Sequence, residues 1–359
     1  MKNVLFTTTA IAGLALSSAA FAAGHSSGNF GIAGSTDVGY NDDIEGGIFQ
    51  ETNIDITASK DAGNGFMVGG QVRLNLDWAE GTDTDATNGD TDVEFKSVYV
   101  ETPIGKLEYT DSSDGTSASD AFYKDRDGMT VDVQNLDGIA SLRWSGDMGD
   151  FGYAIDTGNV ENANSNDWSI GAGGTFGAVT VGLGYDNESG GAAGASSVMG
   201  VSADFDAGVF GVGLSYAASD TVTSIAVVAA AEVGAGFTIG AYYANNDDAD
   251  GDDYGVTLDF ANGPFSVAVD YNTGENGPDE IEVDAAFAVN SMVSLYVGYS
   301  DAIQGAGDPN PGDEEGVYAG AVVSIADGIE ATISYSPDFD EIGGPEFKQG
   351  TSAFLSLTY

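Results

Sequence analysis

From Phe66 to Trp78 the chain alternates between two kinds of side chain. Phe66, Val68, Val72, Leu74, Leu76 and Trp78 share one parity, while Met67, Gly69, Gln71, Arg73, Asn75 and Asp77 share the other. Successive side chains of a strand point to opposite faces, so this stretch predicts a strand with one greasy face and one polar or small face. The same alternation returns at Val179 to Tyr185, Phe210 to Tyr216, Phe237 to Tyr243, Tyr254 to Phe260, Phe265 to Tyr271, Val293 to Tyr299, Ile329 to Tyr335 and Ala353 to Tyr359. Beyond the first residues no apolar run reaches the roughly 18 residues that a spanning helix needs; the longest is Ile225 to Ala231.

The second parity is mostly Gly, Ala, Ser, Asn or Asp, and Asp77, Asp259, Asp270 and Asp284 all fall on it. A soluble sandwich would put larger, mixed charges there. A small or anionic face suits the wall of a water-filled lumen, and the apolar parity then faces lipid. That parity carries most of the aromatics, often at segment ends, as in the girdles of a membrane barrel. The connections also come in two kinds. Asp61 to Gly65, Asp147 to Asp150, Asp206 to Gly208, Gly234 to Gly236 and Ala261 to Pro264 read as tight turns. Glu80 to Asp92, Asn245 to Asp253, Asn272 to Glu280, Asp301 to Glu315 and Ser336 to Lys348 read as longer acidic loops. Short turns on one side and long loops on the other predict an all-β fold, a closed antiparallel transmembrane β-barrel with an even strand number. The tally favours about twenty strands of roughly 17 residues each with their connection; sixteen and eighteen stay open.

Composition narrows the function classes. There are 57 acids against 9 bases, a formal charge of -48, no cysteine and one histidine. A zinc-thiolate site, a disulfide framework and a cysteine nucleophile are excluded. Nucleic acid is no partner for so acidic a chain, because a phosphate backbone needs a basic footprint. At 42% apolar residues the chain is not a disordered acidic tail. His25 is the lone histidine and lies close to the amino-terminal end of the expected mature chain, so a histidine-based triad is not expected, and no enzyme is. Residues 1–22 read as a secretory leader: Lys2 is basic, Val4 to Ala20 is mostly apolar or small, and Ala20-Phe21-Ala22 is a small-x-small cleavage site. Residues 23–359 then form the single barrel domain.

The segment Ser97-Val-Tyr-Val-Glu-Thr-Pro-Ile-Gly-Lys-Leu-Glu-Tyr-Thr-Asp111 resembles the fourth strand, turn and fifth strand of Gram-negative general porins, most closely alphaproteobacterial ones of the Rhodobacter and Roseobacter kind. The terminal Leu357-Thr358-Tyr359 also resembles that family's last strand, which ends in an aromatic residue read by the assembly machinery. The chain departs from the family in having a higher strand tally and few arginines. The leader and the barrel pattern together imply Sec export to the outer membrane, the resemblance implies a homotrimer, and no cofactor is expected. The resemblance also implies that residues 111–138, which follow the matching strand, fold into the lumen and narrow it.

In that family the constriction sets acids on the inward loop against bases on the wall. The loop candidates are Asp111, Asp114, Asp120, Asp125 and Asp127, with Lys124 and Arg126 offsetting part of their charge. The wall candidates are Arg73 and Arg143, both on the lumen parity, and Lys96, whose parity is ambiguous between Phe95/Tyr99 and Val98/Val100. Asp77, Asp259, Asp270 and Asp284 are expected as lumen-wall acids. Asp83, Asp85, Asp90 and Asp92, and a second cluster from Asp247 to Asp253, could bind calcium, although their spacing misses the EF-hand pattern and a solvated acidic loop is the simpler reading. The function expected is passive diffusion of small hydrophilic solutes and ions, with a preference for cations. A substrate-specific channel would need aromatics stacked in the lumen, and a structural or adhesive surface β protein would need a fixed-period repeat.

Overall fold

The computed structural model describes residues 28–44, 47–76, 78–79, 91–110, 117–119, 121–131, 141–157, 168–187, 197–247, 251–274, 279–303, 315–337 and 347–359. The expected leader, residues 1–22, lies outside the described residues. The chain forms β1 (Gly28–Asn41), β2 (Ile48–Gly63), β3 (Phe66–Leu76), β4 (Trp78–Ala79), β5 (Thr91–Thr102), β6 (Gly105–Thr110), β7 (Ser141–Met148), β8 (Phe151–Thr157), β9 (Trp168–Phe176), β10 (Val179–Asn187) and β11 (Val198–Asp206). It continues through β12 (Phe210–Ala218), β13 (Thr223–Gly234), β14 (Phe237–Asn246), β15 (Asp252–Asn262), β16 (Phe265–Gly274), β17 (Asp279–Ala288), β18 (Val293–Ile303), β19 (Glu315–Ala326), β20 (Ile329–Ser336) and β21 (Gly350–Thr358). The short β4 pairs with β2 in the register of β3, Gln50 opposite Trp78 as Asn53 is opposite Asn75, so the two segments are one strand. The barrel therefore has twenty strands.

Each strand pairs antiparallel with its sequence neighbour. Closure comes from β1, which pairs on one side with β2 from Gly28↔Lys60 to Tyr40↔Ile48 and on the other with β21 from Ser35↔Thr358 to Asn41↔Ser352. The first and last strands are thereby joined, so neither leaves an open edge to face hydrocarbon. At the loop end of this seam, Asn41 Nδ2 donates to Ser352 Oγ at 2.9 Å and Asp42 N–H to the Thr351 carbonyl at 3.1 Å. The Asp42 carboxylate accepts the Thr351 N–H in return.

The alternation sorts the two faces. On β13, Ile225 and Val227 are exposed, whereas Ser224, Ala226 and Val228 between them are buried toward the inside. On β12, Leu214 is 54% exposed and its neighbour Ser215 only 3%. The outward apolar side chains have lipid as their solvent. Aromatic pairs stand outward at both rims: Phe205–Phe210 at 5.8 Å and Phe237–Phe260 at 4.5 Å by the tight turns, Trp168–Tyr185 at 5.1 Å by the loops.

Between β2 and β3 the turn residues Asn64 and Gly65 take φ of 56° and 79°, the left-handed pair that matches strand twist in a two-residue hairpin. The loops on the other side are not uniformly long. Between β12 and β13 only residues 219–222 intervene, closed by Ser219 N–H to the Val222 carbonyl at 2.8 Å. The loop expected from Asn245 to Asp253 is shorter as well, because β14 runs to Asn246 and β15 begins at Asp252. Asp252 accepts from Tyr243 Oη at 2.7 Å and from Asn245 Nδ2 at 2.6 Å, which carries the ladder past the membrane rim.

Two outcomes test this arrangement. Leu214→Arg puts a charge in the middle of the lipid-facing band and costs about 2–4 kcal/mol, while Thr257→Arg on the lumen face changes stability little; urea unfolding in lipid vesicles separates them. The Thr351 N–H bond holds the Asp42 carboxyl below the usual aspartate range. A depressed folded-state pKa means the contact survives at about pH 4, where free aspartate protonates, and fails only at lower pH. Amide exchange at Thr351 across that range reads the transition.

Candidate functional site: the lumenal wall

Residues 117–119 and 121–131 lie within the expected inward loop, and both stretches run along the inside of the barrel. Ala118 N–H donates to Asp156 Oδ2 at 2.7 Å and to Ser169 Oγ at 2.9 Å, on β8 and β9. Lys124 N–H donates to Ser202 Oγ of β11 at 3.1 Å, and Ser215 Oγ of β12 donates back to the Lys124 carbonyl at 2.6 Å. Val131 N–H donates to Ser224 Oγ of β13 at 3.1 Å, and Asn246 Nδ2 of β14 to the Gly128 carbonyl at 2.7 Å. A row of inward-facing serines and one asparagine thus satisfies backbone groups of a segment without regular structure. Tyr123 and Val131 are buried against Ala217, with Met129, Val198 and Val222 packed around them, so an apolar contact adds to these bonds.

Glycine sets how close the segment comes. A Cβ on Gly171 would lie 1.9 Å from the Ala118 carbonyl oxygen, and one on Gly182 would lie 1.9 Å from that of Phe122. Any side chain at either position would push the segment off the wall.

The bases of the lumen are paired. Arg73 of β3 donates to Asp55 of β2 through Nε at 2.9 Å and a second nitrogen at 3.2 Å. Lys96 Nζ meets Glu94 Oε1 at 2.6 Å, and Lys106 Nζ meets Glu108 Oε2 at 2.8 Å while standing 4.6 Å over the Tyr99 ring. Arg126 reaches from the inward segment to Asp204 of β11 at 2.6 Å. Arg143 of β7 meets Asp156 at 2.9 Å, and Asp156, 1% exposed, also accepts from Ala118 N–H and Ser169 Oγ. Arg143 therefore anchors the inward segment through a shared carboxylate.

The ambiguity at Lys96 has a structural cause. Val72 opposes Phe95 and Gln71 opposes Ser97, so Lys96 is the extra residue of a β-bulge. A bulge sets two residues against one and inverts the parity beyond it. Phe95, Val98 and Val100 consequently share the outward face, and Tyr99 points inward over Gly69.

Asp125 and Asp127 are exposed on the inward segment. Asp259 and Asp270 sit opposite inward partners on β15 and β16, and Asp284 of β17 is buried, accepting from Tyr318 Oη. Asp111, Asp114, Asp120 and Asp77 lie outside the described residues, as do Asp83, Asp85 and Asp90 of the calcium candidates; Asp92 is the second residue of β5, with its side chain exposed. Among the described residues no three acidic or imidazole side chains gather to hold a metal.

Sequence reasoning missed the partners that make this wall: Asp156, Asp204, Ser169, Ser202, Ser215 and Ser224. Their signal was present as serine or aspartate on the inward parity of successive strands. The outward parity does carry most of the aromatics, with exceptions. Phe49, Tyr242, Tyr296 and Tyr318 all occupy the inward parity, the last between the outward Val317 and Ala319.

Because glycine permits the close approach, Gly182→Val is expected to release the inward segment while leaving the barrel closed. Single-channel conductance then rises and heat-modifiable migration stays as in the wild type. Arg143→Ala removes one donor from a carboxylate that keeps two others, a cost of about 1–3 kcal/mol read by chemical unfolding.

Comparison with known proteins bears on what such a wall belongs to. Two solved structures similar to this chain are a mutant of the Rh. blastica porin and a triple mutant of the Rhodopseudomonas blastica porin. Each is 12% identical to this chain, covers 92% of it and 100% of its own length, and has a TM-score of 0.45. Among curated proteins the comparison returns no match. The Gram-negative porin family's sequence profile matches residues 7–299, most of the chain. The chain belongs to the Gram-negative porin family.

Proposed function

We propose that this outer-membrane porin conducts small hydrophilic solutes and ions by passive diffusion and prefers cations. The observation that carries the preference is the pairing of the lumenal bases. Arg73, Lys96, Lys106, Arg126, Arg143 and Lys348 each stand within an ion pair. Asp125, Asp127, Asp259, Asp270 and Glu282 add further carboxylates to the same surface. A wall with more carboxylates than bases gives a negative potential, which raises the local concentration of cations and lowers that of anions.

Catalysis has no support in the residue inventory, which holds no cysteine and a single histidine, His25. Export through the leader read from residues 1–22 and assembly as a trimer complete the reading; the first rests on the pattern of those residues and the second on the sequence resemblance.

Reversal potential in a planar bilayer under a potassium chloride gradient tests the preference. The sign expected is that of a cation-selective pore. The magnitude is expected to shrink in about 1 M salt, where the screening length falls to roughly 3 Å. An anion-selective sign contradicts the proposal.

A further inference from the structure

A second piece of loop enters the lumen, on the far side from residues 117–131. Phe347, Lys348 and Gln349 precede β21 and fold down the inner wall. The Phe347 ring meets Tyr318 of β19 at 5.9 Å and 67°, and Tyr296 of β18 at 6.1 Å and 77°, both edge-on. Tyr296 and Gly320 are directly opposed in the ladder, six residues above the tight-turn end of β19 at Ala326, so the ring reaches well below the rim. Its seat is shaped for it. A Cβ on Gly320 would lie 2.2 Å from the Phe347 ring, and Tyr318 is held by its hydrogen bond to the buried Asp284.

Lys348 is held equally firmly. Its Nζ donates to both carboxylate oxygens of Glu51 on β2 at 2.7 Å and stands 4.8 Å over the buried Phe49 ring. Asn41 Nδ2 of β1 donates to the Gln349 carbonyl at 2.6 Å. The contacts thus span β18, β19, β1 and β2. The inward stretches 117–119 and 121–131 touch strands from β8 to β14. In the closed strand order the centres of these two sets are about half the circumference apart.

We propose that Phe347 and Lys348 form a second constriction element, which faces the inward segment across the pore and sets its conductance and charge preference. This rests on the reading of the barrel as a conducting pore. Phe347 contributes bulk. Lys348 contributes a cation that neutralises Glu51, so its loss leaves a bare carboxylate at the narrow point.

The test uses the full-length protein in planar bilayers, with heat-modifiable migration as the check that each variant is folded. The chain has no cysteine, so Phe347→Cys introduces its only thiol. A bulky, water-soluble methanethiosulfonate reagent is expected to remove most of the current through that variant and none through the wild type. Phe347→Ala is expected to raise single-channel conductance about 1.5-fold, and Lys348→Gln to shift the reversal potential toward the cation limit. If the wild type conducts while all three variants match it and the reagent has no effect, the second constriction is wrong and the pore reading stands. If the folded wild type passes no current, both fall together.

Discussion

A strand in hydrocarbon cannot leave its N–H and C=O groups unpaired, since no water is there to take them. Every other feature follows from that demand. It requires a partner on each side of each strand, which the β1–β21 pairing supplies for the last two edges. It requires strict alternation, because a slip of one residue would turn polar side chains into lipid. And it leaves the inner face free to be small and acidic, since water and not packing fills it. The charge of -48 is compatible with a membrane protein only because the barrel gives it an inside and a rim.

Within that shell the irregular backbone has a problem of the same kind at smaller scale. Residues 117–119 and 121–131 form no strand, yet they enter the pore. Their backbone groups find partners in Ser169, Ser202, Ser215, Ser224 and Asn246, and their apolar side chains find Ala217, Val198 and Val222. Glycines at 171 and 182 let main chain meet main chain. The pairing of almost every lumenal base with a neighbouring acid belongs to the same pattern. Arg143 and Arg126 spend their charge on holding the segment in place, so neither presents an unopposed cation to a passing ion.

The fold was largely legible in the sequence, for a physical reason. A dyad period repeated over twenty strands leaves little freedom, and the alternating segments that begin at Val179, Phe210, Phe265 and Val293 are found as β10, β12, β16 and β18, each starting at that residue. Where the period broke, reading became uncertain. Lys96 had no clear face because a bulge inserts it between Phe95 and Ser97. The site was less legible. That Arg73 and Arg143 lie on the lumen parity follows from alternation, but that they meet Asp55 and Asp156 depends on which strands are neighbours and in which register. The inward placement of Phe347 has no local signature at all. It depends on a glycine at position 320 and tyrosines at 296 and 318, on strands well separated from it in sequence from its own loop.

The central claim is that a water-filled path runs through this barrel past its inward segments. Ion current through single copies reconstituted in a planar bilayer tests it most directly. Discrete, ohmic conductance steps that persist over a wide voltage range are the result predicted. A correctly folded, heat-modifiable barrel that inserts and passes no current would contradict it.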